Sequence, residues 1–275
     1  MIVEPAPAKI NLALHVRHRR PDGYHAIETL FAFVRDGDVV RLEPADSTRL
    51  TITGPFAAGL STEENLALAA VAAFSGAFGA CGPLAIELDK RLPVASGIGG
   101  GSADAAATLR ALARLKDVAR DDPRLMACAV GLGADVPACL AGRTALGSGR
   151  GDVLAPVDSL AGTPVLLVNP RVAVSTAAVF AAWDGRDSGP IADGGLLERA
   201  VASGNDLEAP ARAIAPVIVD VLTALDDVGA PLLVRMSGSG ATCFALYASA
   251  EDRAIAATAI RAAYPNWWCL ETALA

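Results

Sequence analysis

LPVASGIGGGSADAA (residues 92–106) packs four glycines (Gly97, Gly99, Gly100, Gly101), a serine and the start of an alanine-rich run into one short stretch. Glycine loses more backbone freedom on folding than any other residue, so this density implies close approach or positive φ. A glycine loop feeding a helix N-terminus offers unbonded N–H groups and the positive end of a helix dipole to an anion. The same loop can also simply let a strand pack on a helix. Two phosphate loops are excluded. A Walker A loop needs G-K-[ST], and no lysine lies between Lys90 and Lys116; a dinucleotide fingerprint needs glycine where Ser102 stands. Ser102 suits an N-cap or a hydroxyl donor to phosphate.

Around this loop, hydrophobic periodicity predicts strands at 10–16, 27–34, 38–42 and 49–53, a helix at 63–78, a strand at 84–88 and helices at 102–115 and 123–131. TALGSGRGDVLAP (144–156) is strand-like, and a turn-rich segment follows at 158–164. We therefore expect one domain over 1–158 and a second over 159–275. The second reads as a strand from 164, a helix from Thr176, a helix at 214–225, two strands flanking a tight S-G-S-G turn (237–240), a helix at 252–263 and a strand at 267–272. That order points to an antiparallel-rich α+β layer.

Composition narrows the function. The chain has 275 residues, 53% hydrophobic and 19% charged, with a net charge of −7. This describes a globular protein and argues against a nucleic-acid partner, which needs a basic face. Five cysteines, Cys81, Cys128, Cys139, Cys243 and Cys269, lie far apart without a C-x-x-C pair, as expected for a reduced, cytoplasmic protein lacking structural zinc. The uncharged run 65–86 is long enough to test as a membrane span, but its glycines and Pro83 favour an alanine-rich helix followed by a strand. No basic-then-apolar signal pattern opens the chain. With 3 Lys among 23 basic residues, each lysine carries weight.

In PAKINLALHV, Lys9 and Asn11 alternate with apolar residues, and on a strand they share a face about 6.6 Å apart. Such a pair suits orienting a hydroxyl or phosphate oxygen; a solvated sheet face gives the same pattern. RPDGYH (20–25) has turn chemistry and presents Tyr24 beside His25, a pairing that suits a flat heterocycle or a loop with a half-buried tyrosine. GADVP (133–137) sets Asp135 between a helix end and a proline, as a general base or a turn cap.

Together these segments resemble the galactokinase, homoserine kinase, mevalonate kinase and phosphomevalonate kinase (GHMP) superfamily. PAPAKINLAL is similar to its first motif, LPVASGIGGGSADAA to its glycine-rich ATP loop and MSGSGATCFAL to its third. RRPDGYH, GADVP, SGRGD (148–152) and GNDLE (204–208) resemble the branch acting on a cytidine-diphosphate-linked methylerythritol in non-mevalonate isoprenoid biosynthesis. The resemblance implies a two-domain α+β fold: an N-terminal ribosomal-protein-S5-domain-2-like ATP domain, a C-terminal ferredoxin-like domain and an active site in the cleft between them.

It also implies ATP as co-substrate, Mg²⁺ with it, and no residues assigned as metal ligands. Lys9 and Asp135 would be the catalytic pair. Pro93, Val94, Ala95, Ser96, Gly97, Ile98, Gly99, Gly100, Gly101, Ser102 and Ala103 would form the ATP loop; Ala103 departs from a second small polar residue usual there. Asn11, Tyr24, His25, Thr176, Phe180, Ser239 and Gly240 would bind substrate, with Phe180 the second wall of a cytosine sandwich. No membrane or nucleic-acid partner is expected, and a monomer or weak homodimer is. Another GHMP small-molecule kinase such as a homoserine kinase, a non-catalytic nucleotide-binding protein and an RNA-binding protein on this fold are the rival readings.

Overall fold

The computed structural model describes residues 1–275, and the chain forms two compact units. The first comprises Met1–Ala8, Asp36–Val94 and Gly99–Gly142; the second comprises Lys9–Arg35, Ala95–Ile98 and Arg143–Ala275. Strands β1 (Ile2–Arg19) and β2 (His25–Pro44) contribute to both, so the compact units do not follow a single cut at residue 158. Two strands are expected at 27–34 and 38–42, but β2 runs unbroken through Gly37. A Cβ at Gly37 would fall 2.0 Å from the Ala6 carbonyl oxygen, so this glycine admits a neighbouring backbone rather than turning the chain.

In the first unit β4 (Leu84–Asp89) lies between β3 (Arg49–Thr53), parallel to it, and the last residues of β2, antiparallel. Helix α1 (Leu66–Phe78) begins three residues after the expected start. Asn65 caps it by accepting from the Ala67 N–H, while Ser61 Oγ holds Glu63 and Glu64 in a turn. α2 (Gly100–Leu115) is buried from Ala103 to Ala113, and its small side chains let α1, α3 (Pro123–Leu132) and α4 (Val136–Ala141) pack closely on it. α4 was not expected; the proline in GADVP reads as a break but sits in the first turn, where it is tolerated.

The second unit contains the hairpin β5 (Ala145–Ser148) and β6 (Val153–Pro156), with β5 also pairing β2 at Thr29–Phe31. A four-stranded antiparallel sheet has the order β10 (Trp268–Ala273), β7 (Pro164–Asn169), β9 (Cys243–Leu246), β8 (Leu233–Met236). α8 (Val217–Asp226) and α9 (Ala250–Ala263) pack on it, burying Ile218, Val221, Leu225, Ala256 and Ile260 with Val168, Cys243 and Tyr247. α5 (Thr176–Ala181) begins as expected. α6 (Leu196–Ala202) and α7 (Glu208–Ile214) lie between the two expected helices, where no element was expected, and Ile214 ends α7 instead of opening α8, because Pro216 occupies the α8 N-cap. Met236 pairs with Cys243, so residues 237–242 form a six-residue loop, longer than the tight turn expected at 237–240.

Candidate active site

β1 places Lys9 and Asn11 on one face, as the alternation predicts, but that face is not solvated: they are 4% and 1% exposed. Lys9 Nζ donates to Asn11 Oδ1 at 2.8 Å and lies 5.6 Å from the centroid of the Phe31 ring. Asn11 Nδ2 donates to Thr29 Oγ1 at 2.8 Å, whose hydroxyl donates to the Ala13 carbonyl at 2.6 Å. A lysine bonded to a buried amide that a hydroxyl itself fixes has its ammonium oriented and preorganised for an oxygen ligand. Thr29 escaped the sequence reading. The partner that identifies it, Asn11, is 18 positions away, across the β1–β2 pairing.

The six-residue loop of the third motif is fastened to the same strand. Ser237 Oγ accepts from the Asn11 N–H at 3.3 Å and donates to the Gly97 carbonyl at 3.0 Å. Asn205 of GNDLE donates to the Met236 and Gly238 carbonyls, at 2.8 Å each, satisfying polar groups that would otherwise be buried unpaired. Ser239 Oγ lies 2.9 Å from Thr176 Oγ1, so these two expected substrate residues meet. A Cβ at Gly240 would fall 2.8 Å from Met236 Sδ, and one at Gly238 2.8 Å from the Gly97 carbonyl oxygen. The glycines here answer to neighbouring protein atoms.

The glycine loop divides in the same sense. A Cβ at Gly97 would meet the Ser237 carbonyl oxygen at 2.4 Å; Ser96 O accepts from Thr242 N and Ile98 O from Lys9 N, both at 3.1 Å. Pro93 and Ser96 are buried, Ile98 fully so, and Val94 and Ala95 are exposed. This first part is built to join strands and loops. At Gly99 the role changes. With φ of 67° it takes the N-cap position expected for Ser102, and the first helical bond runs from Ala103 N to Gly99 O. The N–H groups of Gly100, Gly101 and Ser102 precede that bond, and Gly101 is exposed, leaving the end of α2 open to an anion. Ala103, 1% exposed, packs inward and presents no side chain to a ligand. Beside this helix end, a groove of about 400 Å³ is lined by Glu63, Glu64, Asn65, Leu66, Leu68, Ala69 and Ala72.

Asp135 belongs to the first unit, Lys9 to the second. Asp135 occupies the N-cap position of α4, yet its side chain makes no cap hydrogen bond, so the turn-cap reading does not describe it. Arg110 steadies α4 against α2. Its Nη1 donates to the Cys139 carbonyl at 2.9 Å, its Nη2 to the Pro5 carbonyl at 2.7 Å, and Glu4 takes Nε at 3.3 Å.

The aromatic site gathers in the second unit. The Phe180 ring stacks on His25 at 4.9 Å and 29°, and Trp183 meets His25 edge-on at 5.7 Å. Trp183, one turn after Phe180 and 7% exposed, was not among the expected residues; the F-x-x-W spacing was its signal. His25 Nε2 is buried without a hydrogen-bond partner. Burial, then the charge of Arg19, holds this imidazole below the ordinary histidine range and favours the neutral ring. Tyr24 is 52% exposed, and the Arg150 guanidinium of SGRGD lies 4.9 Å from the centroid of its ring. No group of three His, Cys, Asp or Glu side chains is arranged to hold a metal, and no helix is long and apolar enough to cross a membrane.

Known proteins match this arrangement closely. The family of GHMP kinases N-terminal domains matches residues 65–143, and that of GHMP kinase C-terminal domains matches 191–266. The chain is 55% identical to a 4-diphosphocytidyl-2-C-methyl-D-erythritol kinase of Rhizorhabdus wittichii, over 98% of this chain and 94% of the relative. It is 51% identical to the protein of that name in Sphingopyxis alaskensis, over 97% and 96%. A crystal structure of a 4-(cytidine 5′-diphospho)-2C-methyl-D-erythritol kinase superposes with a TM-score of 0.84 at 35% identity, covering 99% of each chain. A homoserine kinase of Cytophaga hutchinsonii, at 20% identity and a TM-score of 0.73, shares the fold. The chain belongs to the 4-diphosphocytidyl-2-C-methyl-D-erythritol kinase family of GHMP kinases.

Proposed function

We propose that this protein transfers the γ-phosphoryl group of ATP to the 2-hydroxyl of 4-diphosphocytidyl-2-C-methyl-D-erythritol, releasing ADP in the cytoplasm for isoprenoid precursor synthesis. The observation that carries this choice is the stacked His25–Phe180 pair with an unpartnered, buried Nε2. A neutral imidazole there can hydrogen-bond the edge of a pyrimidine, and the neighbouring aromatic rings give its faces apolar contact. A homoserine kinase has no use for such a site. The cytidine diphosphate handle then supplies binding energy remote from the reacting hydroxyl.

Asp135 takes the proton of the 2-hydroxyl as its oxygen attacks the γ-phosphorus, and the bond to the β-phosphate oxygen breaks to give ADP. Lys9 orients that hydroxyl and offsets charge in transfer, itself oriented by Asn11 and Thr29. Phosphoryl transfer asks the protein for positioning and electrostatics more than covalent chemistry. The N–H groups of Gly100, Gly101 and Ser102 receive the ATP phosphates, with the groove at Asn65 and Leu66 beside them for the nucleoside. Tyr24, Thr176, Ser239 and Gly240 line the substrate side. Mg²⁺ bound with ATP would offset phosphate charge during transfer, and no residue of this chain is assigned to hold it. The protein acts as a monomer or weak homodimer.

An ADP-release assay with ATP and Mg²⁺ compares the cytidyl compound with homoserine, mevalonate and galactose, with products identified by mass. Turnover of the cytidyl compound alone, with one phosphoryl group added, is expected. Turnover of homoserine instead would keep the fold and discard the cytosine site. Asp135→Asn is expected to lower kcat by roughly 10²–10⁴-fold while both KM values stay within a few-fold. Near-normal turnover would move the base elsewhere.

A further inference from the structure

Lys90, Asp38 and Asp104 lie outside the roles assigned above, and all three are buried, at 3%, 1% and 3% exposure. Lys90 Nζ donates to Asp38 Oδ2 and, at 2.8 Å, to Asp104 Oδ2. Asp38 Oδ1 accepts the N–H groups of Arg91 at 2.6 Å and Leu92 at 2.8 Å, the last residues before the glycine loop. On the loop's far side, a Cβ at Gly100 would fall 3.2 Å from Lys90 Nζ and 3.6 Å from Asp38 Oδ2. Asp104 stands one turn into α2, with Oδ1 buried and unpartnered.

One cluster thus hydrogen-bonds the Leu92 end of the loop and, through Asp104 of α2, is anchored beside its Gly100 end. Burying two carboxylates with one ammonium brings little net stability, since desolvation offsets the attraction. Closing a flexible loop at both ends, by contrast, removes conformations that would have to be lost on binding.

We propose that Lys90, Asp38 and Asp104 are positioning residues for ATP, which clamp the two ends of the glycine loop so that the N–H groups opening α2 face the phosphates. The inference rests on reading that loop as the ATP-phosphate site. The cluster is also charge-sensitive. Burial, against the pull of Lys90 and with the repulsion of Asp38, raises the Asp104 carboxyl to about 7. Lys90 and Asp38 are the charged groups that act on it; of the helices packed on α2, α1 and α4 carry no charged residue, and Arg124 of α3 pairs with Asp122. Ionised Asp104 sets a negative charge at the end of α2 that should repel phosphate.

The test measures kcat and both KM values for three variants. Gly101→Val fills the exposed start of α2 and checks the loop reading. The triple variant Lys90→Met, Asp38→Asn, Asp104→Asn removes the clamp without leaving a buried charge uncompensated. It is expected to raise the ATP KM at least about tenfold, with the cytidyl-substrate KM within about twofold. A native ATP KM in the triple variant, when Gly101→Val raises it, overturns the proposal; an unchanged ATP KM in Gly101→Val overturns the loop reading instead. Asp104→Asn decides the matter should the triple variant not fold. Between about pH 6 and 8, where ordinary carboxylates are already ionised, the wild-type ATP KM should climb more steeply than that of Asp104→Asn. Parallel profiles overturn the proposal.

Discussion

Lys9 and Lys90 are both almost fully buried, at 4% and 3% exposure, but they are held by opposite chemistry. Lys9 donates to the amide of Asn11, which is itself fixed by Thr29. Lys90 donates to two carboxylates, and Asp104 followed by Asp38 outweigh the effect of burial and raise its pKa. The neutral amide of Asn11 orients the Lys9 ammonium. Two acidic partners consume the charge of Lys90. The first arrangement suits a group that must act on a ligand, the second a group that holds segments of the chain together.

Removing each lysine should therefore fail differently. Lys90→Met leaves two buried carboxylates uncompensated and is expected to cost about 3–5 kcal/mol in urea unfolding. Lys9→Met leaves the Asn11 carbonyl oxygen without its lysine donor, a smaller structural loss of about 1–3 kcal/mol. Its kcat should nonetheless fall roughly 10²–10³-fold, the usual consequence of removing one preorganised charge-stabilising donor. If Lys9→Met unfolds as readily as Lys90→Met, or keeps its turnover, the contrast between the two lysines collapses.

The Lys9 site was largely legible in sequence, because strand alternation places residues two apart on one face whatever the rest of the chain does. The Lys90 cluster was not. Asp38, Lys90 and Asp104 are 14 to 66 positions apart, and only the antiparallel pairing of β2 with β4 and the docking of α2 bring them together. The same limit explains Thr29, Ser237 and Asn205, whose partners lie across strand pairings and loops. Element errors were local. Gly37 looked like a break and proved a close approach, and Ser102 looked like a cap, although Gly99, able to take positive φ, holds that place. The aromatic site was half legible: Tyr24 and His25 stood out, the family resemblance added Phe180, and Trp183, just past the end of α5, is brought against His25 only by the fold.

The finest distinction between the two lysines is a dependence on pH. Burial raises Asp104 in the folded state to about 7, while in the unfolded chain it titrates near the ordinary value of about 3.9. Between those values the folded protein carries a proton that the unfolded chain has released. Stability should consequently fall as pH climbs through this window, by at most about 1.4 kcal/mol per pH unit, and level off above it. Asp104→Asn keeps a hydrogen-bonding side chain of the same size but removes the titration. Its advantage over the wild-type protein should grow from pH 4 towards pH 7 in urea unfolding, about the span between the two titration values. A difference that stays constant across the window would mean that Lys90 holds Asp104 ionised throughout, and that the cluster is a closed ion network with no proton to give.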